Sequence, residues 1–214
     1  VRFLFTRFFV HLLIFQSFLF SYNTISVKKN ITSILNPTDM LVYNNRPLVS
    51  SNGGIYSIVN DSYDVHNEHL LTYDISSMMI SNNQNLWIIS KGHPMIQILD
   101  SNYKLIKKID YPVFDQIFDV IFSNDYVYII TEDQGENKIF QYYLNDLTYQ
   151  DSINLTNGFI YDVKIDENKI YVGTDEGLFY ADMSNENSLF LSDSWSNVSN
   201  LIMLSLNVDT DDKI

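Results

Sequence analysis

The chain has 214 residues and a net charge of −13, from 13 Lys+Arg against 26 Asp+Glu. Its 46% hydrophobic and 18% charged content excludes a disordered chain, and its acidity argues against a surface built to neutralise nucleic-acid phosphates. With no cysteine there is no thiol catalysis, no cysteine-based zinc site and no disulfide, while 15 Tyr and 14 Phe beside 7 Gly and 4 Pro favour strands over helices.

The first segment differs from the rest. Arg2 and Arg7 give a basic start, and Phe8–Phe20 is apolar apart from His11, Gln16 and Ser17. This pattern predicts a secretory signal peptide over 1–21, with an uncleaved anchor as the alternative, followed by a linker over 22–36. An exported chain without cysteine fits a bacterial periplasm or cell surface, because small exported eukaryotic domains usually carry disulfides.

After residue 36 the dominant feature is a repeat. Ile117–Thr131, IFDVIFSNDYVYIIT, aligns without a gap on Ile160–Thr174, IYDVKIDENKIYVGT. Earlier copies are Thr38–Asn52 and Ile75–Ser90, and a last one is Met203–Ile214. The first residue of the second strand in each copy is Leu48, Leu86, Val127, Ile170 and Ile214, in steps of 38, 41, 43 and 44. Within each copy, an alternating apolar strand leads through a polar turn (Asn82–Asn85, Ser123–Tyr126, Glu167–Lys169) to a denser apolar strand. Third strands are predicted at Met95–Leu99, Lys138–Leu144 and Gly177–Asp182, and fourth strands at Lys104–Ile109, Thr148–Leu155 and Ser188–Ser192. Four antiparallel strands recurring at this spacing predict an all-β fold, a β-propeller of four-stranded blades starting near 37, 75, 117, 160 and 203. A β-sandwich or a β-solenoid is the competing architecture. Four blades and part of a fifth over 37–214 would make the chain the N-terminal part of a longer protein with downstream domains.

Ile170–Tyr180, IYVGTDEGLFY, followed by Trp195, resembles the two-component-regulator type of propeller repeat, and is similar to the N-terminal propeller of PorZ-like proteins. Trp87 stands at the matching place in the second blade, while Ile89-Ser90 and Ile130-Thr131 replace Gly173-Thr174. The resemblance implies a scaffold exported by bacteria, either the sensor region of a longer regulator or a propeller associated with a secretion system. From blade physics, Gly173 is expected to let neighbouring sheets approach closely, and Gly177 to occupy a turn with positive φ.

No nucleophile elbow, phosphate loop or dinucleotide motif is present. His66 and His69 flank Asn67-Glu68, but this is not the H-E-x-x-H zinc pattern. No cofactor and no metal site is expected. The loops following second strands and joining blades supply the candidate ligand contacts: Lys91, His93, Phe114, Asp115, Gln116, Glu132, Asp133, Asp175 and Glu176. Tyr111 and Phe114 would suit stacking on sugars. Asp119 and Asp162, shared by the two best copies, would either bind a ligand at the channel mouth or hydrogen-bond backbone in a turn. The expected function is binding of a glycan or protein ligand, with membrane contact only through the N-terminal segment. The alternative is a propeller hydrolase or lyase acting on exported carbohydrate or peptide.

Overall fold

The computed structural model describes residues 34, 36–60, 62–91, 94–110, 114–123, 125–133, 136–154, 159–183, 189 and 194–206. The predicted signal segment and most of the linker lie outside them. All regular structure among the described residues is β, except for a single 3-10 position at Ser194.

Among the described residues sixteen strands form four sheets in strict chain order. The first holds β1 (Pro37–Tyr43), β2 (Arg46–Ser51), β3 (Gly54–Val59) and β4 (Ser62–Val65). The second holds β5 (Ile75–Ile80), β6 (Leu86–Ser90), β7 (Met95–Leu99) and β8 (Leu105–Ile109). The third holds β9 (Gln116–Phe122), β10 (Tyr126–Asp133), β11 (Glu136–Tyr143) and β12 (Tyr149–Asn154). The fourth holds β13 (Ile160–Asp166), β14 (Lys169–Thr174), β15 (Gly177–Asp182) and β16 (Ser196–Ser199). Every neighbouring pair is antiparallel. First strands of adjacent sheets approach each other, β1 with β5 and β9 with β13, so they form the inner edge. This is the β-propeller fold, with blades built from sequence-adjacent hairpins.

Local chemistry explains the hairpins. Asn44 and Asn45 take φ of 51° and 60°, the two left-handed positions of a tight turn that asparagine tolerates. Gln84 and Glu167 supply one such residue each in the corresponding turns of later blades. The alternating side chains of each blade face its two neighbours, and the core is therefore a set of seams. One apolar cluster joins Leu48 and Ile55 of the first blade to Met78, Leu86 and Ile88 of the second. A second joins Trp87, Ile89 and Ile98 to Val120, Ile129 and Phe140, and a third joins Tyr128, Ile130 and Ile139 to Val163, Ile170 and Val172. Met40 corresponds to the buried Met78, Val120 and Val163, yet is 67% exposed, because no described blade precedes it.

Two elements differ from the sequence reading. The outer strand of the fourth blade is Ser196–Ser199, paired with β15 through Leu178↔Ser199 and Phe179↔Asn197. Of the predicted Ser188–Ser192, only Leu189 is described; it is buried in a turn, and its carbonyl accepts the Trp195 indole N–H at 3.0 Å. Of the fifth copy only 203–206 are described, in no strand, with the Met203 N–H donating to the Thr174 carbonyl at 3.0 Å.

Candidate site at the inner-strand ends

In an up-and-down sheet, first strands begin beside the turns that join second to third strands. Residues 37, 75, 116 and 160 therefore share one end of the propeller with the turns after Ser51, Ser90, Asp133 and Thr174. The topology brings Lys91, Asp115, Gln116, Glu132, Asp133, Asp175 and Glu176 to that end. His93 and Tyr111 lie outside the described residues.

The four first strands carry the same irregularity. Pairing skips one residue between Pro37 and Asp39, Ile75 and Ser77, Ile117 and Asp119, and Ile160 and Asp162. Each skip is a β-bulge, and its unpaired residue is Thr38, Ser76, Phe118 or Tyr161. A bulge re-aims the side chain it frees. Thr38 and Ser76 line a cavity of about 420 Å³ together with Ser90, Lys91, Asp115, Gln116 and Ile117. Their counterparts Phe118 and Tyr161 are 40% and 47% exposed, unusual for aromatic rings on inner strands. Sequence reasoning missed these four positions; the signal was a residue of varying chemistry between Ile and Asp in the two best copies, with Pro37 replacing the Ile in the first blade and Ser77 the Asp in the second.

The cavity wall is held by hydrogen bonds rather than left loose. Thr38 Oγ1 and Ser50 Oγ are 2.9 Å apart, and Ser76 Oγ donates to the Ile89 carbonyl at 3.1 Å. The fully buried Gln97 amide donates to Ser90 Oγ at 3.0 Å and to the Thr72 carbonyl, and accepts the Leu71 N–H. Lys91 N–H donates to the Asp74 carbonyl and Asp115 N–H to that of Glu132, which fixes both loops while the Lys91 and Asp115 residues stay exposed. Polar atoms, one cation and one anion thus meet on a preformed wall, suited to a polar ligand.

The structure also shows what the other predicted contacts touch. Phe114 is 3% exposed and packs edge-on against Phe140, with ring centroids 5.5 Å apart, so it offers no face to a sugar. An apolar ring beside the seam gains more from burial there than from solvent. Asp39, Asp119 and Asp162 follow the bulges. Asp39 Oδ2 accepts the Met78 N–H at 2.7 Å, and Asp162 Oδ2 accepts the Leu206 N–H at 2.8 Å. The first is a latch between successive blades, the second ties the fourth blade to the next copy of the repeat, and Asp162 also pairs with Lys164 at 3.1 Å. Asp119 turns to its own Val120 N–H at 2.7 Å, and burial pushes its carboxyl above the ordinary range. Asp175 Oδ1 accepts the Phe159 N–H at 2.8 Å, and Glu176 is exposed. Glu132 is half-buried between Gln116 and Asn137 in the ladder, and Asp133 ends β10 opposite Glu136.

The glycines act as expected. A Cβ on Gly173 would sit 2.8 Å from the Met203 carbonyl oxygen, in the next copy of the repeat. Gly177 has φ +141°, and a Cβ there would lie 1.9 Å from the Ser199 oxygen. His66 shares Nε2 with Ser57 Oγ at 2.8 Å and stacks on Tyr103 at 3.7 Å; burial lowers its pKa. Among the described residues no group of three or more His, Asp or Glu side chains converges as a metal site.

No protein-family model and no curated protein sequence matches the chain. Solved structures do. The extracellular domain of the hybrid two-component system BT4673 from B. thetaiotaomicron aligns over 82% of this chain with a TM-score of 0.60 at 16% identity. A second structure of that domain gives 0.62 at 14% identity, again over 82%. PorZ, a surface component of the type-IX secretion system of Porphyromonas gingivalis, gives 0.60 at 15% identity over 83%. The chain spans about a quarter of each of these proteins, from 24% to 25%. The likeness implied by the sequence therefore holds at the level of fold.

Proposed function

We propose that the chain is an exported bacterial recognition module that binds a polar ligand, a glycan first of all, at the inner-strand ends. The observation that carries this reading is the bulge repeated at one register in four blades. It frees two hydroxyl residues at a 420 Å³ cavity and leaves two aromatic rings exposed on the neighbouring inner strands. Hydroxyls, a cation and an anion satisfy sugar hydroxyls, and aromatic faces cover the apolar side of a sugar ring. Export is supported by the basic–apolar start of the sequence and by the extracellular or surface placement of the similar propellers. Within this reading the chain serves as a sensor region or as a secretion-associated surface propeller.

Calorimetric titration of the full chain with a panel of bacterial and host oligosaccharides tests the proposal. At least one saccharide should bind, and Phe118→Ala or Tyr161→Ala should weaken it about tenfold. The exposed Met40→Ser serves as control. Binding that ignores both aromatic substitutions would overturn the site. Release of product, abolished by one carboxylate substitution, would overturn the module in favour of an enzyme.

A further inference from the structure

The seam between the second and third blades differs from the one before it. The residue in the latch position is Ser77, whose side chain is too short to reach across as Asp39 does. A cavity of about 110 Å³ opens in this seam among the turns on the other side of the propeller from the bulges. It is lined by Trp87, Ile98, Ile106 and Lys107 of the second blade, with two asparagines of its first turn, and by 144–147 of the third, the carboxylate Asp146 among them. Trp87 is 2% exposed, and its indole N–H meets no hydrogen-bond partner among the described residues. Buried indole donors ordinarily find an acceptor, and leaving one unmet is costly.

We propose that this cavity binds a small carboxylate, with the carboxyl oxygen accepting the Trp87 N–H. Three features select that class. The orphan is a donor, so the ligand must bring an acceptor. Lys107 supplies a cation whose ammonium donates to the Asp146 carbonyl oxygen and keeps donors to spare. The walls Ile98, Ile106 and Leu144 are aliphatic and suit a short alkyl chain rather than bare inorganic phosphate. The one carboxylate beside it, Asp146, is engaged by Thr148 in its own turn, at 2.9 Å from the Thr148 N–H. At about 30 Å³ per water, the space equals roughly three to four waters, or one carboxylic acid of about two to four carbons.

The two tryptophans make the test direct. In a ¹H–¹⁵N spectrum of the full chain, Trp87 and Trp195 give one indole signal each, assigned with Trp195→Phe. Titration with sodium propionate at fixed ionic strength should move the Trp87 indole proton downfield and saturate. Trp195 already donates to the Leu189 carbonyl and should not move. Lys107→Gln, at an exposed position, should weaken the response at least about tenfold. A Trp87 signal that does not saturate with propionate would mean a water-filled cavity and overturn the proposal. An equal response to propionamide or sodium chloride, or unchanged affinity in Lys107→Gln, would overturn the carboxylate class.

Discussion

Replacing Asp39 with alanine tests whether carboxylate latches hold the blades in order. Asp39 accepts two backbone N–H groups at 2.7 Å, its own neighbour Met40 and, across the seam, Met78. Met40 is 67% exposed, so water can take over its N–H; Met78 is 6% exposed, and its N–H would be stranded. Only the cross-seam bond should therefore register, at about 1.5–3 kcal/mol for a hydrogen bond to a charged acceptor. At about 2–4 °C per kcal/mol for a domain of this size, Tm should fall by about 3–12 °C. Asp39→Asn keeps one acceptor oxygen without the charge and should lose about half as much. Thermal unfolding followed by circular dichroism gives the magnitude, and amide exchange at Met78 gives the place. A loss below about 0.5 kcal/mol with unchanged Met78 protection would show that seam packing alone sets the blade order.

Thr131 and Thr174 occupy the same register but fare differently. The buried Thr131 hydroxyl has no hydrogen-bond partner among the described residues, whereas Thr174 Oγ1 donates to the Gly177 carbonyl and accepts the N–H groups of Glu176 and Gly177. Thr131→Val should thus be neutral or stabilising by up to about 1 kcal/mol, and Thr174→Val should cost about 2–4 kcal/mol in urea denaturation; equal effects would refute the contrast. Gly177→Ala meets both a positive φ and a backbone oxygen 1.9 Å away, so a loss above about 2 kcal/mol is expected, and an unchanged Tm would contradict the turn geometry. Burial raises the Asp119 carboxyl against the pull of the Val120 N–H and Lys164, with Asp162 adding to the rise. A raised carboxyl contributes stability that is complete below the unfolded value of 3.8 and is lost as pH rises through the folded value. Asp119→Asn, which keeps an oxygen for Val120, should therefore raise Tm at pH 7 and lose that advantage towards pH 3.8.

The blades were legible because their signal is local. Second and third strands are apolar runs bounded by turn residues, and Met95–Leu99 and Gly177–Asp182 stand where the alternation places them. The outer strand of the fourth blade was misplaced because Ser196–Ser199 is short, polar and largely exposed, so no apolar period marks it. The site was only half legible. Connectivity alone predicts that Lys91, Asp115 and Gln116 gather at one end, and they do line one cavity. Which side of a strand a residue faces depends on register, and a bulge shifts register without leaving a compositional mark. Phe114 read as a surface aromatic although it packs on Phe140, and of the two readings open for Asp162, a ligand group or a backbone hydrogen bond, the structure shows the second, to the Leu206 N–H.

One residue more than the ladder requires also changes what substitution can do. On an ordinary inner-strand position, a new side chain must fit a neighbouring blade. Thr38, Ser76, Phe118 and Tyr161 have no residue opposite them in the strand ladder, and in the later blades the seams are packed by Met78, Val120 and Val163 instead. A hydroxyl can become a ring at these places without repacking a seam, as the four blades of this one chain already illustrate. Divergence among copies of the repeat can thus change what this end of the propeller presents, one blade at a time, while the scaffold stays constant.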